Sequence, residues 1–452
     1  MLRFKVATAR AIGRFSRASG RGGGTTLPGR VLLKLDHDAI NKLGAGLLHG
    51  STLISATNGK TTTASMLASI LEAAGRHPVH NRSGSNMTWG VATALLEEKG
   101  DEGLFEVDEA WLPEVARRLN PTTILLGNLF RDQLDRYGET ETLADSWVNL
   151  ATEMAETTHF VLNADDPLIA DIGKRSGDGT TYFGIDDNSQ ALEEIQHAHD
   201  AKACRVCGHE LTYDRAFVGH LGHYHCENCG NHRPEPQVTA TDVKLLGMSG
   251  LEATINATGT SARLKLPLPG LYNLYNALGA IATAIRVGVP LEPAVSSLAT
   301  MKAVFGRVER IDLDGTELSI LLIKNPAGAN EVLRTLSLED SELDLWMALN
   351  DRIADGRDIS WVWDADFELL ADRCRSIVCS GTRADELALR LKYAGFDTGR
   401  ITVVPDLKAS LKLATANANE SKRLFALPTY TALLELRQLL AEQDSADRYW
   451  QS

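Results

Sequence analysis

No uninterrupted apolar stretch in this chain approaches the ~18–20 residues that a membrane-spanning helix needs. A signal-peptide apolar region is missing too, so a cytosolic protein is expected. Six cysteines do not suggest a secreted disulfide framework, because four are clustered and two lie far away. Internal repeats and low-complexity tracts are absent. Residues 1–35 contain no acid, yet carry Arg3, Lys5, Arg10, Arg14, Arg17, Arg21, Arg30 and Lys34. With those eight bases set apart from a net charge of −13, the remainder stands near −21. Such an acidic body argues against general nucleic-acid binding. Leu2, Phe4, Ile12 and Phe15 interleave with the bases and read as a basic amphipathic helix before Gly20–Gly24. Two readings stand: contact with an anionic membrane surface or lipid phosphate, or a solvated helix packed on the acidic body.

What is present points to a nucleotide. Thr52-Leu53-Ile54 reads as the end of a buried strand, and Ala64 to Ala74 repeats apolar residues at helical spacing. Between them lie Thr57, Asn58, Gly59, Lys60, Thr61 and Thr62. A strand, a tight polar turn and a helix N-terminus direct backbone N–H groups at an anion. Lys60 would neutralise it and Thr61 would ligate Mg²⁺. The usual pattern has four residues between its glycines, and Ala56 interrupts that match.

The 452 residues should hold two or three domains. Strand-like runs at 103–107, 122–126 and 159–162 alternate with helical patterns at about 86–99, 109–119 and 141–156. This predicts an α/β protein with a parallel, doubly wound sheet, whose ligands gather at the C-terminal strand ends. The expected division is a basic segment at 1–50, an ATP-binding domain at 51–310 and a second α/β domain at 311–452. In the second domain, strands are expected at 317–323, 343–349, 375–380 and 400–404. Helices are expected there at about 328–338, 364–374, 383–394 and 429–442.

Residues 200–236 break the alternation. Cys204 and Cys207 are separated by two residues, as are Cys226 and Cys229, with eighteen residues between the pairs. This is the spacing of a four-thiolate Zn²⁺ ribbon, a closed structural site. His209, His220, His223 and His225 are possible substitutes, although two cysteine pairs need no fifth ligand. Cys374 and Cys379 read as small buried core residues.

Taken together, these motifs resemble the Mur ligase superfamily of ATP-dependent peptidoglycan ligases. The resemblance rests on Thr57–Thr62, Phe105-Glu106-Val107-Asp108-Glu109, Asn128 to Gly138, and Asn163-Ala164-Asp165-Asp166. It continues through Leu271 to Ala277 and Gly306-Arg307-Val308-Glu309. Within the superfamily the chain is most similar to the MurT-type subunits of lipid II isoglutaminyl synthase. The features carrying this are the ribbon, Phe130 to Tyr137 with Gln133, Lys324-Asn325-Pro326-Ala327-Gly328, and Asn350 to Asp364. Only about fifty residues precede the phosphate loop, so a soluble UDP-linked substrate is not expected.

The resemblance implies a mechanism. A carboxylate is a poor electrophile, so the ATP γ-phosphoryl group is first transferred to it, and ammonia then attacks the acyl phosphate. The carboxyl group would be the α-carboxyl of D-glutamate in the lipid II stem peptide. Lys60 would neutralise phosphate charge, Thr61 and Glu106 would hold Mg²⁺, and Glu109 would stand behind them or replace one. Asn276 would meet adenine and Arg307 the ribose or phosphate. Asp132 is a candidate for another metal, a site that Gln133 puts in doubt. Ammonia would come from a GatD-type glutamine amidotransferase partner. Asp358 would reach its Cys–His site, with Asp351, Asp355 and Asp364 as alternatives, against a plain reading as an Asp/Gly turn. The rivals are an amino-acid ligase of the Mur or folylpolyglutamate synthase kind, and a non-catalytic nucleotide-binding scaffold.

Overall fold

The computed structural model describes residues 2–18, 26–81, 85–132, 140–193 apart from 175, 177 and 178, 199–301, 307–418 apart from 314, and 421–442. The first strands of the chain are β1 (Ser51–Ser55), β2 (Pro78–His80), β3 (Glu102–Glu106), β4 (Thr123–Leu126), β5 (His159–Asn163) and β6 (Thr180–Ile185). A hairpin, β7 (Thr212–Val218) and β8 (Leu221–His225), forms its own two-stranded sheet. The chain then returns through β9 (Val238–Leu245), β10 (Leu251–Ala257) and β11 (Thr260–Leu266). Nine of these strands join in the order β11-β10-β9-β6-β5-β4-β1-β3-β2.

Every residue of β1, β3 and β4 is buried, because helices cover both faces of this parallel region. The two-residue period sends neighbours to opposite sides. Ile54, Leu104 and Leu125 pack in the core with helices Lys60–Ala73 and Leu271–Arg286. Leu53, Phe105 and Ile124 pack in the other core with helices Thr88–Glu97, Leu112–Leu119 and Thr140–Met154. At the antiparallel edge, β10 buries only alternate residues, as a one-sided strand should.

β1 lies between β3 and β4, so the chain turns one way along the sheet after β1 and later resumes on its other side. The crevice at the C-terminal ends of β1 and β4 is the switch point where such sheets bind ligands.

The second domain contains β12 (Arg307–Leu313), β13 (Thr316–Leu321), β14 (Leu343–Ala348), β15 (Cys374–Ser380), β16 (Ile401–Val403) and β17 (Arg423–Pro428). Their order is β12-β13-β17-β14-β15-β16, parallel except for the β12–β13 hairpin. β12 straddles residues 310 and 311 and belongs wholly to this second sheet. The segment expected to be a helix at 364–374 is instead a 3₁₀ turn, Phe367–Arg373. Its entry is pinned by Asn330, which exchanges two hydrogen bonds with Asp366 at 2.8 Å each. β17 and the helix Leu407–Asn417 were not anticipated. Arg423-Leu-Phe-Ala-Leu-Pro428 is a short apolar run ending in proline, which periodicity does not assign to one element.

The N-terminal basic segment forms a helix, Leu2–Ala18, with Ala9 buried against Leu32, Ala39 and Leu96. No helix among the described residues is long and apolar enough to cross a membrane.

Candidate active site

The phosphate loop leaves β1 and is held by the loop after β4. Thr57 N–H donates to the Asn128 carbonyl at 3.0 Å. Asn58 N–H donates to the Asn128 side chain at 2.9 Å, and Asn128 returns a bond to the Asn58 carbonyl at 2.9 Å. Gly59 has φ +90°, and a Cβ there would stand 2.0 Å from Oδ1 of Asn276. Glycine is therefore required both for the turn and for the approach of the helix Leu271–Arg286. Asn276 accepts from Thr63 Oγ1 at 3.2 Å and donates to Asn273 at 3.0 Å, so it is fixed beside the loop.

Lys60 begins the helix and its ammonium lies 2.8 Å from Glu109. Burial opposes the Lys60 charge, but Glu109, Asp108 and Asp132 together outweigh it and the net pKa is raised, keeping a cation at the loop. Thr61 follows in the first helical turn. Glu106 ends β3, is 2% exposed and is in register with Ile54, two residues before Ala56. A buried carboxylate at the end of the strand paired with β1 is an oxygen donor that suits a hard cation such as Mg²⁺. Of the sequence-predicted residues, Asn58, Gly59 and Asn276 line one cavity. Arg307 contributes only its strand backbone to the description; its side chain, and Gln133, lie outside the described residues.

The second domain closes over the crevice. Asn58 and Asn325 exchange side-chain hydrogen bonds at 3.2 and 3.1 Å. Lys324 lies 2.5 Å from Asp132 and 3.4 Å from the Thr57 carbonyl. The carboxylate considered for a second metal thus faces an ammonium from a residue 192 positions away. Beside this pair the cleft is lined by Arg131, Asp355, Asp358, Trp361 and Asp364. Asp355 is buried and accepts from Thr431 N–H at 2.7 Å and Oγ1 at 2.5 Å, holding two segments together. Asp351 pairs with Arg383 at 2.7 Å, and Asp364 lies 3.5 Å from Arg131. Asp358 is exposed and accepts from Ser360 N–H at 2.8 Å. That backbone bond and the Ser360 side chain hold its pKa below the usual value.

The four ribbon sulfurs lie within 4.8 Å of one another. Tetrahedral coordination at about 2.3 Å needs this closeness. The Asn228 side chain and His209 amide help lower the Cys207 thiol to about 6, while burial and the neighbouring Cys207 push Cys229 up to about 12. The histidines face elsewhere. His220 is 0% exposed, 3.4 Å from Asp166, with its ring centroid 4.6 Å from that of Phe130 and tilted against it. His223 faces the Ile185 carbonyl and Asp186, and His225 faces Asp214.

The tip of the ribbon hairpin reaches the nucleotide crevice, which the spacing of the cysteines did not reveal. Val218 and Leu221 line the cavity beside Asn58, Gly59, Tyr272 and Asn276. From the second domain, Arg334 donates to the Phe217 and Gln190 carbonyls at 2.9 Å each.

A phosphate loop at the switch point of a parallel sheet, closed by a second α/β domain, defines the class: a Mur-type nucleotide-dependent ligase. The Mur ligase middle domain matches residues 54–230, and the MurT ligase C-terminal domain matches 322–433. A lipid II isoglutaminyl synthase (glutamine-hydrolyzing) subunit MurT from Streptococcus pneumoniae is 33% identical over 93% of both chains. The corresponding Staphylococcus aureus protein is 33% identical over 94% of both. The chain belongs to the MurT family. Its fold is shared by a pseudomurein peptide ligase type C from Methanothermus fervidus (TM-score 0.68, 24% identity, 89% of this chain and 80% of that one). It is shared also by Thermotoga maritima MurF in complex with ADP (TM-score 0.62, 14% identity, 91% and 85%).

Proposed function

We propose that this chain is the synthetase subunit of a glutamine-hydrolysing lipid II isoglutaminyl synthase. The observation that carries this reading is the cleft where Asp132 and Lys324 face the phosphate loop and the exposed Asp358 stands at the rim. The relatives are named as subunits of such a synthase, which supports a second, glutaminase chain as partner. Trp363, a few residues along the chain from Asp358, and Tyr393 are 50% and 70% exposed with rings 5.9 Å apart and offer an aromatic docking surface.

In the reaction, a substrate carboxylate oxygen attacks the γ-phosphorus of ATP and ADP leaves. Ammonia then attacks the acyl carbon, and inorganic phosphate leaves as the amide forms. Lys60 and the backbone amides of the loop would balance the phosphate charge. Thr61 and Glu106 would hold Mg²⁺, which lowers the charge barrier between ATP and the incoming carboxylate. Asn276 would orient the base. Lys324, brought across by domain closure, would bind the anionic substrate or transferred phosphoryl group. The four cysteines would hold a structural Zn²⁺.

Mass spectrometry of lipid II after incubation with ATP, Mg²⁺ and ammonium tests the reading. Exchange of the glutamate α-carboxyl hydroxyl for an amino group supports it, and addition of a whole amino acid would place the chain among the rival ligases. With the partner present, Asp358→Asn is expected to lower glutamine-driven amidation by about 10²-fold and leave ammonium-driven amidation intact. Equal loss in both assays would assign Asp358 to the synthetase site instead. Asp355→Asn disturbs a buried junction and should cost about 1–3 kcal/mol of stability, seen in thermal unfolding.

We also assign the helix Leu2–Ala18 to the membrane face. Phe4 and Phe15 are 79% and 77% exposed. Eleven residues make about three helical turns, so the two rings share one side, near the exposed Arg3 and Arg14. Co-sedimentation with anionic vesicles should fall by about tenfold in the Phe4→Ala/Phe15→Ala variant, at the free-energy scale of two buried aromatic rings. Unchanged sedimentation would leave this helix as a solvated cover.

A further inference from the structure

The helix Pro326–Ser337 of the second domain is anchored to the first domain at three places. At its start, Asn325 accepts from Gly328 N–H at 2.9 Å and exchanges hydrogen bonds with Asn58 of the phosphate loop at 3.2 and 3.1 Å. Just past its end, Glu339 accepts from Met248 N–H at 2.8 Å, and Met248 is buried in the second domain's core. Between these, Arg334 spreads one guanidinium over two carbonyls of the first domain. They belong to Phe217 of the ribbon hairpin and to Gln190, which precedes the ribbon, at 2.9 Å each. The pairing of β7 with β8 shifts register between Ala216 and Val218, and such irregularities re-aim backbone groups. Phe217 sits at that shift, and its carbonyl is one of the two that Arg334 takes.

These bonds exist only while the domains are closed, because Arg334 belongs to one domain and both carbonyls to the other. A helix is stiff, so fixing Arg334 also fixes Asn325, about 13–14 Å back along the axis at 1.5 Å per residue. The contact at Met248 by itself would act as a pivot, and a second hold on the ribbon turns that pivot into a seat. We propose that Arg334 is a positioning residue: its grip on the ribbon hairpin sets where Lys324 and Asn325 stand over the phosphate loop. The expected effect on turnover rests on the ligase reading above, whereas the effect on closure does not. Arginine suits the role because its planar fork serves two acceptors at once, which a lysine ammonium on a flexible stem does not do as well.

Hydrogen–deuterium exchange of the full chain tests the latch in wild type, Arg334→Gln and Arg334→Lys, with metal content and thermal unfolding followed alongside. In Arg334→Gln, residues 56–60 and 324–329 should exchange about tenfold or more faster, the scale of one lost hydrogen bond to a charged group. Metal content should stay unchanged, and Arg334→Lys should fall between the other two. Unchanged exchange in both segments would overturn the proposal. Loosening confined to the ribbon, with loss of its metal, would overturn it too and make Arg334 a brace for the hairpin. Turnover supplies a second arm. Arg334→Gln should lower ammonium-driven amidation by about tenfold in the wild type. In a Lys324→Gln background it should cost less than about twofold, because both changes act through one group. Equal losses in the two backgrounds would overturn the proposal. If the wild type amidates nothing, the ligase reading falls, and the exchange arm still decides whether Arg334 holds the domains together.

Discussion

Lys60→Ala is expected to lower ATP-dependent turnover by on the order of 10³-fold, the scale set by removing one preorganised charge from a phosphoryl-transfer site. The ammonium is buried at the start of the phosphate-loop helix, 2.8 Å from Glu109. Because Glu109 raises its pKa against the pull of burial, Lys60 stays charged throughout the neutral range. Its stabilising contribution is present below the ordinary lysine pKa and is lost only as pH climbs through the raised one. Removing Lys60 alone also strands Glu109, and breaking such a pair costs about 3–5 kcal/mol. The Lys60→Ala/Glu109→Gln variant removes that stranded charge and separates the two effects. ADP release and thermal unfolding should be measured on both variants. Restored stability with turnover still lost would place Lys60 in phosphate neutralisation; recovered turnover would reduce it to a structural ion pair.

Loss of the ribbon metal should weaken nucleotide binding, although the cysteine spacing by itself reads only as a closed, structural site. Metal binding supplies on the order of 10 kcal/mol to such modules, and an isolated two-stranded hairpin is marginal without it. The hairpin carries Val218 and Leu221 into the cavity wall and anchors there through the fully buried Phe217 and His220. A fully buried side chain of this size is worth about 1.5–3 kcal/mol, so displacing two should reduce ATP affinity by about tenfold or more. Cys226→Ser, or chelation of the intact protein, should abolish metal content, lower the unfolding temperature and weaken ATP binding together. Metal-free protein that binds ATP at full affinity would confine the ribbon to another role, such as partner docking.

The phosphate loop, the ribbon and the alternating sheet were legible because each is written over a few adjacent residues. Gly59 must adopt a positive φ, two cysteines in one turn must present both sulfurs to one ion, and a buried parallel strand must be apolar on both faces. Of the segments quoted for the resemblance, those with Asn58 and Gly59, Asn128, Tyr272 to Asn276, Lys324 to Gly328 and Asp355 to Asp364 contribute side chains to the crevice. Pairings across the fold were not legible in the same way. Neither Lys324 against Asp132 nor Arg334 against the Phe217 carbonyl follows from any local spacing. The four acids between Asp351 and Asp364 look alike in sequence, and only their partners separate the buried junction at Asp355 from the exposed carboxylate at Asp358. Sequence alone determined the local backbone shapes and the chemistry they carry, since steric and hydrogen-bonding rules act over a few bonds. Tertiary structure alone decided which distant groups meet: the closure of one domain on the other and the hairpin in the cavity wall. Those meetings depend on strand order and packing summed over the whole chain.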